Sequence, residues 1–490
     1  MIENSGGKRI MKNTSENLKK QRTKHQIQKG ITLIALVITV IVLLILAGTA
    51  ITLSINGGNL FSKTNEAANE WNAAVAKEET AMKNVLSVLD DLSPSPVTVS
   101  TEIPDKWKDS TNISKVAIAG GRTVPIPDGF VVSEIEGENT ISDGLVIYQT
   151  GTTSTTTEGF WTEIDMTKSD VTNTNFLKCQ TTYNQFVWIP VDDINSMIMC
   201  KKNNLAYTDE NEEEVPAKIC NIVYDEKSDK IKCTVHNSED ICGRLYTVTN
   251  GDNQIVSVNG SNKTVQVRTQ DFKENTQTWN TTSQREPDLV EAHDDDTNAT
   301  ITRTQLNDSF KAMAKSVAKY GGFYIGRYEA GYIEESIPAT GYTNVKGQTV
   351  MTADASSADK WYGLYKHLNT NIEKAKSSMI WGCQYDQVMK FIGTQVQIGH
   401  TDRNLPGTDG TSDYRKSGAT PLDKMKNIYD LEGNYFEWTA QAVSTAHRIG
   451  RGGFYSSVAN GNFLPASGRG IAIFPTNAIS LGSSRPALYL

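Results

Sequence analysis

Six cysteines, six histidines and one dense carboxylate–imidazole run are the residues from which this chain could build a reactive centre. Cys179, Cys200, Cys220, Cys233 and Cys242 fall within one stretch, and Cys383 stands apart. No Cys-x-x-Cys occurs, which argues against zinc and against a dithiol redox pair. Two readings of the cluster stay open: one or two disulfides in an oxidising compartment, or unpaired structural thiols, the latter being the expectation. Cys383, beside Ile380, Trp381 and Met389, reads as a buried and inert thiol. The histidines (His25, His236, His293, His367, His400 and His447) are scattered. The run Glu291-Ala292-His293-Asp294-Asp295-Asp296 has the ligands for a divalent cation, but as a hydrophilic loop ahead of a helix at Leu306 it reads as a solvated turn. No Gly-x-Ser-x-Gly, His-Glu-x-x-His or Walker loop is found.

Any such centre must be positioned by the rest of the 490 residues, which are 38% hydrophobic and 21% charged and so are enough for one large or two medium domains with a real core. Residues 1–30 carry eight Lys/Arg against Glu3 and Glu16, so the leader is +6 and the remainder −14. An acidic remainder without a basic stripe excludes nucleic acid as an expected partner, because phosphate binding needs clustered Lys/Arg. Ile31 to Leu53 is a run of twenty-three residues without a charge. As a helix it spans roughly 35 Å, enough to cross a bilayer. Lys8, Arg9, Lys12, Lys19, Lys20, Arg22, Lys24 and Lys29 all precede it, so the positive-inside rule puts everything after it outside the cytoplasm.

The junction Lys29-Gly30-Ile31-Thr32-Leu33-Ile34 resembles the type IV prepilin site, where a basic leader ends in Gly and a peptidase cuts before an apolar helix. The resemblance implies processing between Gly30 and Ile31 by a prepilin peptidase, with the helix kept as the anchor. Ala35 stands at the fifth mature position, where most pilins carry a Glu that neutralises a neighbour's amino terminus. That departure argues against a filament subunit, although tip-located minor pseudopilins lack the same Glu. Met11 is an alternative start. From Leu60 to Leu92 apolar residues return at spacings of three and four. They fit equally a stalk continuing the anchor and an ordinary amphipathic helix. Ser93-Pro94-Ser95-Pro96 then favours an extended linker.

From about Val124 short β-type runs alternate with Gly, Asn, Thr and Asp clusters. Strands are expected at Gly129–Val132, Leu145–Gln149, Phe186–Val191, Ala217–Tyr224, Lys230–His236, Arg244–Val248, Gln254–Val258 and Gly322–Tyr328, with helices at Leu306–Tyr320 and Tyr385–Ile392. The fold class is α+β. Thr152–Thr157 reads as a Thr-rich loop.

Four blocks then carry a resemblance: FVWIPV (Phe186–Val191), GGFYIGRYEAGY (Gly321–Tyr332), SMIWGCQYDQVMKFI (Ser378–Ile392), and NIYDLEGNYFEWT (Asn427–Thr439) followed by RIGRGGFYS and SSRPALYL. In that order they resemble the formylglycine-generating, or sulfatase-modifying factor, family, whose fold is a variant of the C-type-lectin fold. The resemblance covers about Tyr183 to Leu490, interrupted by a β-rich insertion of roughly Asp192 to Ser316. The implied organisation is a leader at 1–30, transmembrane helix and stalk at 31–92, a linker at 93–123, and an irregular lectin-like domain at 124–490 with its insertion at about 192–316.

The turn holding Asp430, Gly433, Asn434 and Glu437 suits left-handed backbone, with Phe436 and Trp438 as core anchors. By resemblance Asn434 and Glu437 are calcium ligands; the alternative is that both hydrogen-bond the loop. Arg451 is expected to pair with a carboxylate such as Glu437 or Asp430, or with ligand. The catalytic cysteine pair of the family is missing, since Arg448–Leu490 contains no cysteine. The iron-dependent relatives need a His-rich partner domain that this chain does not match. Neither copper nor iron is expected, and the chain reads as non-enzymatic.

The tract from Gly453 to Ser484 is rich in Ser, Asn, Gly and aromatics, a mixture that suits adaptable binding surfaces. Retroelement-diversified relatives of this fold use that face for ligands. Tyr455, Asn460, Asn462, Phe463 and Arg469 are the expected ligand-facing residues; a buried irregular core is the alternative for each. The functional expectation is a membrane-anchored surface protein displaying a lectin-like domain to a protein or glycan ligand. A minor pseudopilin of a pilus or secretion filament is the second reading, and a residual oxidase the third.

Overall fold

The computed structural model describes residues 95–151, 179–201, 220–235, 239–244, 301–333, 338, 340–353, 360–393, 416–419, 424–431, 433–442, 447–452 and 481–490, plus the backbone of short strands between 207 and 274 and at 471–473. The chain divides into two compact units, Met1–Glu78 and Glu79–Leu490, and every described residue belongs to the second. Gly30, Ile31, the Ile31–Leu53 span and the Leu60–Leu92 stalk lie outside the described residues. Among the described residues no helix is long and apolar enough to cross a membrane.

The unit is a mixture of α and β with more strand than helix. A seven-stranded antiparallel sheet runs Asn371–Ile372, Ala375–Met379, Pro486–Tyr489, Gly322–Gly326, Gln185–Pro190, Val146–Gln149 and Phe130–Val132. Phe186, Val187, Ile189 and Ile325 are all fully buried, as expected of β-branched and aromatic runs covered on both faces. The helix Arg303–Tyr320 supplies cover from Leu306, Phe310, Met313, Ala314 and Val317, one apolar stripe at helical spacing. Its start is fixed by a capping box: Gln305 N–H donates to Thr302 Oγ1 at 3.2 Å and Thr302 N–H donates to Gln305 Oε1 at 2.8 Å. Gly321, at φ 76°, ends it in the left-handed region. This helix takes in Arg303 to Ser316, which the sequence assigns to the insertion.

A second sheet of four strands runs Ile471–Ile473, Arg448–Arg451, Phe436–Ala442 and Gly482–Ser484, the last pair parallel. The segment read as a linker at 93–123 is corrected. Thr98–Ser100, Ile113–Ala119 and Arg122–Pro127 form a three-stranded antiparallel sheet. The physical reason lies in burial: Trp107, Val116, Ala117 and Val124 are at most 2% exposed. Trp107 Nε1–H also donates to the Lys319 carbonyl at 2.9 Å, so this sheet is tied to the helix Arg303–Tyr320. Ser-Pro alternation at 93–96 hid the strands that follow.

Candidate functional site

The GNxxEW turn is the part of the fold where charge is most concentrated in the interior. Asp430 and Asn434 both adopt left-handed backbone, at φ 60° and 65°, which short polar side chains tolerate better than branched ones. Phe436–Ala442 then enters the four-stranded sheet, and Phe436 and Trp438 pack edge to face at 5.5 Å while Glu437 is 1% exposed. Around Glu437 the chain gathers Glu329, Asp430, Asn434, Ser483 and Arg485, none more than 1% exposed.

Arg485 is the hinge-pin of this cluster. It occupies the single position between Gly482–Ser484 of the four-stranded sheet and Pro486–Tyr489 of the seven-stranded one. Its Nε donates to Glu437 Oε1 at 2.8 Å, one terminal nitrogen to the Gly326 carbonyl at 3.0 Å, and the other to the Tyr429 carbonyl at 2.6 Å. Glu329 accepts from Asn434 Nδ2 at 2.8 Å and from Ser483 Oγ at 2.9 Å. Asp430 accepts from the Gly418 N–H at 2.7 Å. Burial, then the charges of Asp430 and Glu437, push the Glu329 carboxyl well above the usual carboxylate range, against the pull of Arg485 and Ser483. Burial also raises Glu437, although Arg485 draws it back.

These residues do not fit a calcium ion, which takes six to eight oxygen ligands. The positive charge beside Glu437 is a guanidinium, and Asn434 presents its amide protons, not its carbonyl oxygen, to Glu329. In this arrangement Asn434 and Glu437 take part in a hydrogen-bonded joint between two sheets. Arg451 does pair with a carboxylate, but the partner is Asp386 rather than Glu437 or Asp430. It lies opposite Glu437 in the strand register, yet its guanidinium bonds Asp386 at 2.8 Å and lies 4.5 Å from the Tyr385 ring, because the helix Gly382–Ile392 presents both beside it. The next residue, Gly452, has φ +75°, and a Cβ there would meet the Leu431 carbonyl oxygen at 2.6 Å. Cys383 is 1% exposed, in keeping with a core thiol.

A second buried arginine is one that sequence reasoning left aside. Arg327 pairs with Glu138 at 2.6 Å and donates to Gln185 Oε1 at 3.0 Å. Glu138 also accepts from Ser133 at 2.9 Å and Tyr148 at 2.8 Å. Arg327 and Glu329 flank Tyr328 in the GRYEAGY block, so one short segment feeds both networks. The signal was present: two charges inside an otherwise apolar and aromatic run must find partners if the run is buried.

Tyr455, Asn460, Asn462, Phe463 and Arg469, and the Glu291–Asp296 run, lie outside the described residues. The strands on either side of the tract are described. Arg448–Arg451 pairs antiparallel with Ile471–Ile473, in register Gly450 to Ile471, so the five residues belong to a connection whose two ends are held side by side. Elsewhere a cavity of about 740 Å³ opens beside Ile103, Pro104 and Ile118; none of its lining residues belongs to either arginine network.

No family model matches the chain, and no curated protein matches it. Among solved structures it is similar to Treponema denticola variable protein 1, at 12% identity, over 52% of this chain and 98% of that one, with a TM-score of 0.20. A likeness at that score bears on neither fold nor function.

Proposed function

We propose that this chain is a non-enzymatic, membrane-anchored surface protein whose C-terminal unit, a variant of the lectin-like fold, presents the tract between Arg451 and Ile471 to a protein or glycan ligand. The observation that carries this reading is the pairing of Arg448–Arg451 with Ile471–Ile473, which pins both ends of a connection rich in Gly and Ser with Asn and aromatic residues among them. Binding residues are commonly set on loops held by a rigid scaffold. The charged residues closest to that scaffold in the chain, Arg448, Arg451, Glu437 and Arg485, are spent on internal hydrogen bonds and ion pairs. That is how a support behaves, and it leaves recognition to the connection itself. The anchor is Ile31–Leu53, processed after Gly30 by a prepilin peptidase, which makes the chain single-pass with the C-terminal unit outside.

Protease treatment of intact cells producing the chain with a C-terminal epitope is expected to remove the epitope, and the processed protein to begin at Ile31. Retention of the epitope by intact cells that lose other surface proteins would overturn the reading. Probing a glycan array and the host's surface proteins with the purified chain then identifies a ligand. Double substitution Tyr455→Ala and Arg469→Ala is expected to weaken its capture at least tenfold, about 1.4 kcal/mol.

A further inference from the structure

Three cysteines far apart in sequence converge in the inserted segment. Cys200 ends the strand Ile198–Cys200, Cys233 ends Lys230–Cys233, and Cys220 lies two residues before Ile222–Asp225. The hairpin register places Ile222 opposite Cys233. Asn195 clamps the same Ile222 from both sides, accepting its N–H at 2.7 Å and donating to its carbonyl at 3.0 Å. Asn221 and Thr234 are tied twice, through the Thr234 N–H to the Asn221 carbonyl at 2.8 Å and the Asn221 N–H to Thr234 Oγ1 at 3.1 Å. The outcome is that the three sulfurs all lie within 4.8 Å of one another, on residues no more than 1% exposed.

Cys200 and Cys233 are joined as a disulfide with Cα atoms 5.9 Å apart, and Cys220 Sγ lies 2.8 Å from Cys200 Sγ. A disulfide uses two of these sulfurs and presses the third against them. A metal uses all three. Thiolates at about 2.3 Å from one tetrahedral zinc stand about 3.8 Å apart, so reduction of the disulfide and a spreading of Cys200 and Cys220 from 2.8 Å by about 1 Å would bring the three sulfurs to that spacing.

The fold also gives the staple a purpose. The strands around it are three or four residues long and pair only two by two, Ile198–Cys200 with Ile241–Gly243 and Ile222–Asp225 with Lys230–Cys233. Isolated two-stranded ribbons are marginal in water, and small segments of this kind are commonly held by a metal or a cross-link.

We propose that Cys200, Cys220 and Cys233, in their reduced form, ligate one zinc ion that staples the insertion. Binding breaks three S–H bonds, forms three Zn–S bonds and releases three protons, with no change of oxidation state; the Cys200–Cys233 disulfide is the competing, oxidised form. The Asn221 carbonyl oxygen lies 3.9 Å from both Cys200 Sγ and Cys220 Sγ, and the Asp240 carbonyl 3.6 Å from Cys233 Sγ. These carbonyls accept the thiol protons in the reduced state, and a water would complete the zinc's four ligands. The absence of a Cys-x-x-Cys spacing, which argued against zinc in the sequence, is no obstacle once three separate backbone segments deliver the ligands. The site does not rest on the surface-display reading, and an oxidising exterior would shift it toward the disulfide form.

The test is metal analysis of the purified full chain, prepared with a thiol reductant and dialysed against zinc. About one zinc per chain is expected, released in step with thiol modification when a mercurial is titrated in, a readout that needs no substitution. Cys220→Ser is expected to lose the zinc, while Cys242→Ser and Cys383→Ser keep it. Failure of the reduced parent chain to take up zinc, or zinc retained in full by Cys220→Ser, would overturn the proposal. A Cys200–Cys233 disulfide persisting in reductant, with Cys220 alkylated alone, would do the same and leave a buried disulfide with a third thiol beside it.

Discussion

Arg327 and Arg485 are both fully buried and both bonded to a glutamate, yet they are neutralised in opposite ways. Arg327 meets one carboxylate, Glu138, which also accepts from Ser133, Tyr148 and Gln180. Burial works against that charge, but the Arg327 ion pair and the hydrogen bonds outweigh it, and Glu138 is held below the usual carboxylate range. Arg485 meets Glu437 with Glu329 and Asp430 close by, Arg451 adds only a weaker pull on Glu437, and burial wins at Glu329 and Glu437. The contrast teaches that a buried Arg–Glu pair is not one kind of object. Where donors outnumber acceptors the acid stays ionised, and where acids outnumber cations the surplus prefers its proton.

The largest expected effect comes from removing the shared cation. Arg485→Met leaves three buried carboxyls without it and should cost about 3–5 kcal/mol in urea unfolding of the purified chain. A midpoint equal to that of the parent chain would mean that Arg485 is not the joint between the sheets. Glu138→Gln comes next, at about 1–3 kcal/mol, because it strands the Arg327 guanidinium among neutral partners. Glu329→Gln removes a charge that burial disfavours while keeping the side chain's shape, and should stay within about 1 kcal/mol. If Glu329→Gln proves costlier than Glu138→Gln, the comparison is wrong.

The pH dependence reads the same contrast, because the two networks give it opposite signs. The contribution of Glu138 is full above its unfolded value near pH 4.3 and is lost as pH falls through its lower folded value. The contributions of Glu329 and Glu437 are full below about pH 4.3 and are lost as pH rises through their raised folded values. The unfolding free energy of the parent chain, read from urea titrations, should therefore drift downward above pH 5, and Glu329→Gln should flatten the drift. An unchanged slope in that variant would assign the proton elsewhere.

Much of the strand framework is legible in the sequence. Phe186–Val191 and Gly322–Tyr328 stand out as apolar runs bounded by turn residues, and both enter the seven-stranded sheet. The helix Arg303–Tyr320 is found three residues earlier than its first periodic apolar, Leu306, because its start is set by the Thr302–Gln305 box and not by hydrophobicity. The sheet within 98–127 is missed because prolines at 94 and 96 read as linker, while its burial comes from contacts with Trp107 and the distant Tyr320, whose rings sit 5.2 Å apart. The candidate site is half legible. Asn434 and Glu437 do converge with Asp430 in one turn, but their partner Arg485 is 48 residues from Glu437 and Glu329 is 105 from Asn434. No local pattern announces pairings at that range. The three converging sulfurs fail for the same reason, since Cys200 and Cys233 are 33 residues apart.

The placement of Pro486–Tyr489 has a consequence for how the chain comes into being. This strand fills the gap between Ala375–Met379 and Gly322–Gly326, both synthesised more than a hundred residues before it. Until it arrives, the main sheet exists as two pieces with facing unpaired edges, and Glu437 lacks its guanidinium. A chain that stops short of residue 485 is therefore no nearly finished domain. It is one with an open slot in its middle, exposed to chaperones and proteases. Arrival of residues 485–489 is therefore a late step on which both sheets depend, and long-range pairing of this kind slows folding.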